Sequence, residues 1–195
     1  MSMGINRRLP ETGFGPLIRI SKSIIVLIAP VCFMGTASAQ FAPTGTTTVS
    51  VTIGAEAALQ VNTSTTTLTS AGIFADYTGT TSLTYKIRTT QSTGSGTITL
   101  KVTTDFAPAN GPSVASPPTG GDTLSYTCTV SAPGTACSGP VTSSTSASTS
   151  VATFGAGASS ALAGNAASVA WDLKNDPLYK TGSYSATVTF TVSAT

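Results

Sequence analysis

The chain has 195 residues, of which 40% are hydrophobic and 8% charged, and it contains no histidine. That length is enough for one domain with a sizeable core, and the prevalence of Thr, Ser, Ala and Gly favours pleated surfaces and turns over helices with charged faces. Without histidine, Ser-His-Asp and Cys-His catalysis are excluded.

Residues 1–39 have the layout of a signal peptide. Arg7, Arg8, Arg19 and Lys22 are its basic part, Ile24 to Phe33 its apolar part, and Ala37-Ser38-Ala39 its small-residue cleavage site. Cleavage after Ala39 is expected, giving a mature chain of residues 40–195 that is exported from a bacterial cell to the extracellular space, the cell surface or the periplasm. The apolar run is shorter than the roughly 18 residues a membrane-spanning helix needs and includes Pro30. No later stretch is long and apolar enough, so no membrane span is expected in the mature chain. Removing the leader leaves five basic and six acidic side chains, a formal charge of −1. The five, Lys86, Arg88, Lys101, Lys174 and Lys180, form no run that follows a phosphate backbone, and no nucleic-acid partner is expected.

Val49, Val51 and Ile53 alternate with Thr48, Ser50 and Thr52, which predicts a first strand. Gly54 interrupts it, and Ala57, Leu59 and Val61 continue with the same period. Thr67 to Thr69 is a candidate brief strand, and Gly72 to Gly79 a connection carrying Phe74 and Tyr77. Leu83, Tyr85 and Ile87 share one face and Thr84, Lys86 and Arg88 the other; Ile98, Leu100 and Val102 repeat the pattern after a glycine-containing loop, so the two segments are expected to pair as a hairpin. Asp105 to Asp122, with four prolines and three glycines, predicts a long surface loop and the first place to look for a partner contact.

Leu124, Tyr126, Cys128 and Val130 resume the alternation with Cys128 facing inward. In an exported chain the pair Cys128 and Cys137, with Pro133-Gly134 between them, is expected to form a disulfide across a hairpin. Two thiols without histidine do not complete a zinc site, and no metal or cofactor is expected. Residues 138–168 are a Ser/Thr/Ala/Gly-rich tract with a weak strand around Ser150 to Phe154. Val169, Trp171 and Leu173 form a strand whose tryptophan belongs in the core, closed by the turn Asn175-Asp176-Pro177. The longest alternation comes last: Tyr184, Ala186, Val188, Phe190 and Val192 against Ser185, Thr187, Thr189 and Thr191, a strand expected at the centre of its sheet. About eight short strands without βαβ alternation predict an all-β fold, an immunoglobulin-like antiparallel β-sandwich.

The carboxylates Glu56, Asp76, Asp105, Asp122, Asp172 and Asp176 fall mostly at turns or strand ends, and no motif makes an acid/base pair of any two. The chain is therefore expected not to be an enzyme. At Trp171-Asp172-Leu173 and the Gly182 to Phe190 ending it resembles bacterial secreted surface domains of the WxL-like and pilin-like kinds, although WxL proteins carry a second W-x-L and this chain has a single tryptophan. The resemblance implies a surface-exported sandwich. Chaperone-usher pilins use a complementing N-terminal strand, a role that Thr46 to Ile53 fits as well as it fits an ordinary first strand. The leading expectation is a structural or adhesive cell-surface protein that associates with itself or with other surface proteins. The alternative is a carbohydrate-binding module that holds polysaccharide with the loop aromatics Tyr77, Phe106 and Tyr179.

Overall fold

The structure, a computed structural model, describes residues 44–195. The leader expected at residues 1–39 and its cleavage site lie outside the described residues. Contact density divides the chain into Met1–Thr48 and Val49–Thr195. The described part of the first unit, residues 44–48, is exposed and has no regular secondary structure.

The second unit is all-β. Its strands, in chain order, are β1 (Glu56–Val61), β2 (Thr69–Ser70), β3 (Tyr77–Arg88), β4 (Gly96–Ala107), β5 (Ser125–Val130), β6 (Thr135–Ala136), β7 (Val141–Thr142), β8 (Thr149–Phe154), β9 (Asn165–Leu173) and β10 (Ser185–Ala194). They make two antiparallel sheets, one in the order β1-β3-β9-β5-β7 with β2 also beside β3, the other in the order β10-β4-β8-β6.

One apolar core lies between the sheets. Leu83, Tyr85 and Ile87 of β3, Tyr126 of β5, and Val169, Trp171 and Leu173 of β9 enter it from the first sheet; Ile98, Leu100 and Val102 of β4, and Val151 and Phe154 of β8, enter from the second. These are the alternate positions of each strand, because successive side chains point to opposite faces. Trp171 meets the ring of Tyr126 edge-on at 5.5 Å, and its indole N–H donates to Thr81 Oγ1 at 2.8 Å, so the core's large polar-edged ring has its partner. The Tyr126 hydroxyl reaches across the core to donate to Ser150 O at 2.8 Å, tying the first sheet to β8.

Several expectations are corrected. β3 and β4 do not form a hairpin: β3 pairs with β1, β2 and β9, and β4 with β10 and β8. Their apolar faces meet across the core instead of lying side by side, and the connection between them crosses from one sheet to the other. Val49 to Ile53 is not a strand among the described residues; the first begins at Glu56, where β3 supplies a ladder partner. β10 is not central. Among the described residues it pairs with β4 alone and ends its sheet. The small-residue tract is more regular than its composition: β8 buries Val151, Ala152 and Phe154, and β9 starts at Asn165, with Ala167 filling a core position where a larger side chain was the expected marker.

Candidate functional site

Among the described residues each sheet ends on one flank in a strand with a free edge, β1 in the first and β10 in the second, and the two run beside each other. The inward side chains there, Ala57 and Leu59 of β1 and Ala186, Val188, Phe190 and Val192 of β10, pack against the core but stay half-buried. The core is therefore open along this side. A ten-residue edge strand with unpaired amides and carbonyls and an uncovered apolar face is a template for another strand. On the same molecule Val49, Val51 and Ile53 are 91%, 80% and 64% exposed. The chain joins the sandwich at Gly54, whose carbonyl accepts from Arg88 Nε at 2.8 Å, while Arg88 also pairs with Glu56 at 2.8 Å. That ion pair is solvated and adds little stability; its effect is to fix where the chain leaves.

The opposite flank is closed. Cys128 on β5 and Cys137, just after β6, have their sulfurs at bonding distance, 2.02 Å. β5 belongs to the first sheet and β6 to the second, so the bridge joins the two sheets and not two paired strands, which corrects the hairpin geometry expected for it. The backbone N–H of Cys137 donates to Val151 O at 3.0 Å, which holds this end on β8.

At one pole of the sandwich three connections meet: 71–76, 108–124 and 174–184. Asp105 organises the second. Its carboxylate accepts from the N–H groups of Phe106, Val114 and Ala115 and from Ser113 Oγ, all at 2.7 to 3.1 Å. Burial pushes this carboxyl up, but the four donors outweigh it and hold it below the ordinary value of 3.8. The segment expected to be a long surface loop thus has a buried spine at Gly111, Pro112 and Val114. A Cβ at position 111 would lie 2.2 Å from the Tyr184 ring, so only glycine admits that ring. Asp176, itself buried, accepts from Thr119 Oγ1 and from Leu178 N–H, and both donors lower its carboxyl. Lys174 bonds Asp76, and Asn175 Nδ2 donates to Ala75 O, joining the first connection to the third. The platform is cross-linked by these hydrogen bonds, yet it displays bare apolar tips: Ile73, Phe74 and Leu178 are 95%, 63% and 65% exposed, and Phe74 holds φ at +52°, the left-handed region that non-glycine residues rarely adopt.

All three aromatics singled out from the sequence come to this pole. Tyr77 and Phe106 turn half-buried against the core, and the Tyr179 hydroxyl donates to Asp122 O at 3.3 Å. Burial, with the charges of Asp122 and Asp176 behind it, pushes the Tyr179 phenol up to about 12. No exposed aromatic plane results from the three. Among the described residues no three Cys, Asp or Glu side chains converge as a metal would require, and no helix is long and apolar enough to cross a membrane. Sequence reasoning passed over the tips Ile73 and Leu178. The available signal was large apolar residues beside Gly72 and Pro177, outside any alternating run. No family model, curated protein or solved structure matches this chain.

Proposed function

We propose that the chain is an exported, non-enzymatic structural subunit of the cell surface that associates with copies of itself by strand addition. The segment Thr46 to Ile53 of one copy pairs with the free edge of β10 in the next. What carries this reading is the presence, on one molecule, of an open apolar flank and an unpaired alternating segment of matching chemistry.

Strand order supports it. An immunoglobulin-type sandwich sets strands A, B, E and D in one sheet and C, F and G in the other. The order β1-β3-β9-β5 supports matching these strands to A, B, E and D, and β4 and β10 to C and F, while β6, β7 and β8, which fall in the chain between β5 and β9, have no counterpart in that scheme. Nothing in the described residues occupies the position of G beside β10. An incoming segment that runs antiparallel to β10 lays Ile53, Val51 and Val49 alongside Ala186, Val188 and Phe190 and satisfies a row of backbone groups. Burying three such side chains contributes roughly 4–6 kcal/mol before the cost of association. The carbohydrate reading has no comparable support, since Tyr77 and Phe106 spend their rings on the core.

The test is the solution mass of the chain expressed with its own leader, by light scattering over a range of concentrations, with electron microscopy of the same sample. We expect concentration-dependent oligomers or filaments that vanish in Val51→Asp, whose side chain is free in the monomer. A wild-type protein that stays monomeric at every concentration overturns the proposal.

A further inference from the structure

We infer that successive copies also touch end to end, the loop pole of the accepting copy seating its Ile73–Phe74 tip in a recess at the opposite pole of the donating copy. This rests on the strand-addition reading above and adds to it a second contact surface with its own residues.

The argument is one of direction and chain length. β10 runs from Ser185, opposite Ala107 at the loop pole, to Ala194, opposite Gly96 at the far pole. Every strand pair in both sheets is antiparallel. A segment that pairs antiparallel to β10 therefore ends, at Ile53, beside the loop pole of the copy that accepts it. The very next residue, Gly54, is already fixed to the donating copy through Arg88 Nε. Consecutive Cα atoms lie about 3.8 Å apart, so no linker separates the two bodies.

The pole that Gly54 leaves from is the one carrying the β1 start, the β3 end and the residue 159–162 turn: Arg88 bridges Ser159, and Ser160 N–H donates to Ile87 O at 3.0 Å. A shallow recess there is lined by Ala57, Ala58, Ile87 and Leu162 together with the charged side chains Glu56, Lys86 and Arg88. Leu162 is 93% exposed in the single chain. On the accepting side, Ile73 and Phe74 precede β3, beside the short β2 on the edge of β3 that also carries β1, which places them at the loop-pole end of the open flank. Leu178 sits in the connection that leads into β10. In the proposed arrangement the pole bearing the apolar tips of one copy faces the pole of the next that bears this recess, whose apolar part is Ala57, Ala58, Ile87 and Leu162. Among the described residues Ile73, Phe74 and Leu162 are largely exposed.

Two variants of the full chain test this. With Ile73→Cys and Leu162→Cys in one chain, a short bis-maleimide is expected to give a ladder of covalent multimers in assembled samples, and no ladder when Val51→Asp is added. With Ile73→Asp alone, self-association measured by light scattering should weaken about tenfold while the thermal melt of the monomer is unchanged. Assemblies that form normally but give no ladder, with Ile73→Asp associating as tightly as wild type, overturn the pole contact and leave strand addition standing. A wild-type chain that never assembles overturns both.

Discussion

The two flanks of the sandwich end the same core in opposite ways. On the β5/β6 side a disulfide spans the gap between sheets, and the neighbouring positions of β9 and β8 are fully buried: Val169 and Val151 are both 0% exposed. On the β1/β10 side no covalent or side-chain closure exists among the described residues, and Val188, Phe190 and Val192 remain half-buried although their strand alternates as regularly as β9. The difference teaches that a well-patterned strand records which of its faces is apolar. It does not record whether anything covers that face.

The comparison has measurable edges. The largest effect is expected in the closed interior: Trp171→Ala removes a buried ring and its bond to Thr81, and should cost about 3–5 kcal/mol in chemical denaturation. Loss of the staple comes next. Replacing both Cys128 and Cys137 by Ala frees a loop with a sequence separation of 9; in the loop-entropy model that removes about 2.5–3 kcal/mol. Phe190→Ala on the open side should cost less, about 1–2 kcal/mol in the monomer, because the ring is already half in water. If Phe190→Ala proves as costly as Trp171→Ala, the open flank is covered in the folded monomer and the contrast fails.

The smallest effect concerns pH. The Asp105 carboxyl sits below its ordinary value of 3.8 because its hydrogen-bond donors outweigh burial. A group depressed in the folded state binds its proton less readily there than in the unfolded chain. Its contribution is present above that ordinary value and lost as pH falls through the depressed one. Thermal melts taken from about pH 6 to about pH 2 should therefore drop less steeply for Asp105→Asn than for wild type. Equal slopes would mean that the four donors do not discriminate between the two protonation states.

These particulars also mark how far the sequence could be read. The period-two runs located most of the long strands and nearly all of the core, since burial of one face leaves its imprint on every second residue. The cysteine pair was legible because a sequence separation of 9, with Pro133-Gly134 inside it, lets a turn bring two sulfurs into reach. Partner choice was not legible. β3 and β4 carry the same alternation whether they lie side by side or face each other across the core, so the pattern cannot distinguish a hairpin from a crossover between sheets. β10 misled for a related reason: an edge strand with one apolar face alternates just as a central strand does. Core positions held by Ala152 and Ala167 gave too weak an apolar signal to mark β8 and the start of β9. The Asp105 hub had no spacing to betray it, because three of its four donors are backbone amides that any sequence supplies.

If Thr46 to Ile53 of one copy adds to β10 of the next as proposed, the two surfaces that meet are unlike, and this has a consequence for size. A contact between like surfaces saturates when two copies meet, whereas one between unlike surfaces leaves each new arrival with the feature its predecessor has just used. Unless the rotation between copies happens to close a ring, growth by this route has no internal stopping point. The length of any such polymer would be set by supply and by whatever occupies its last free edge.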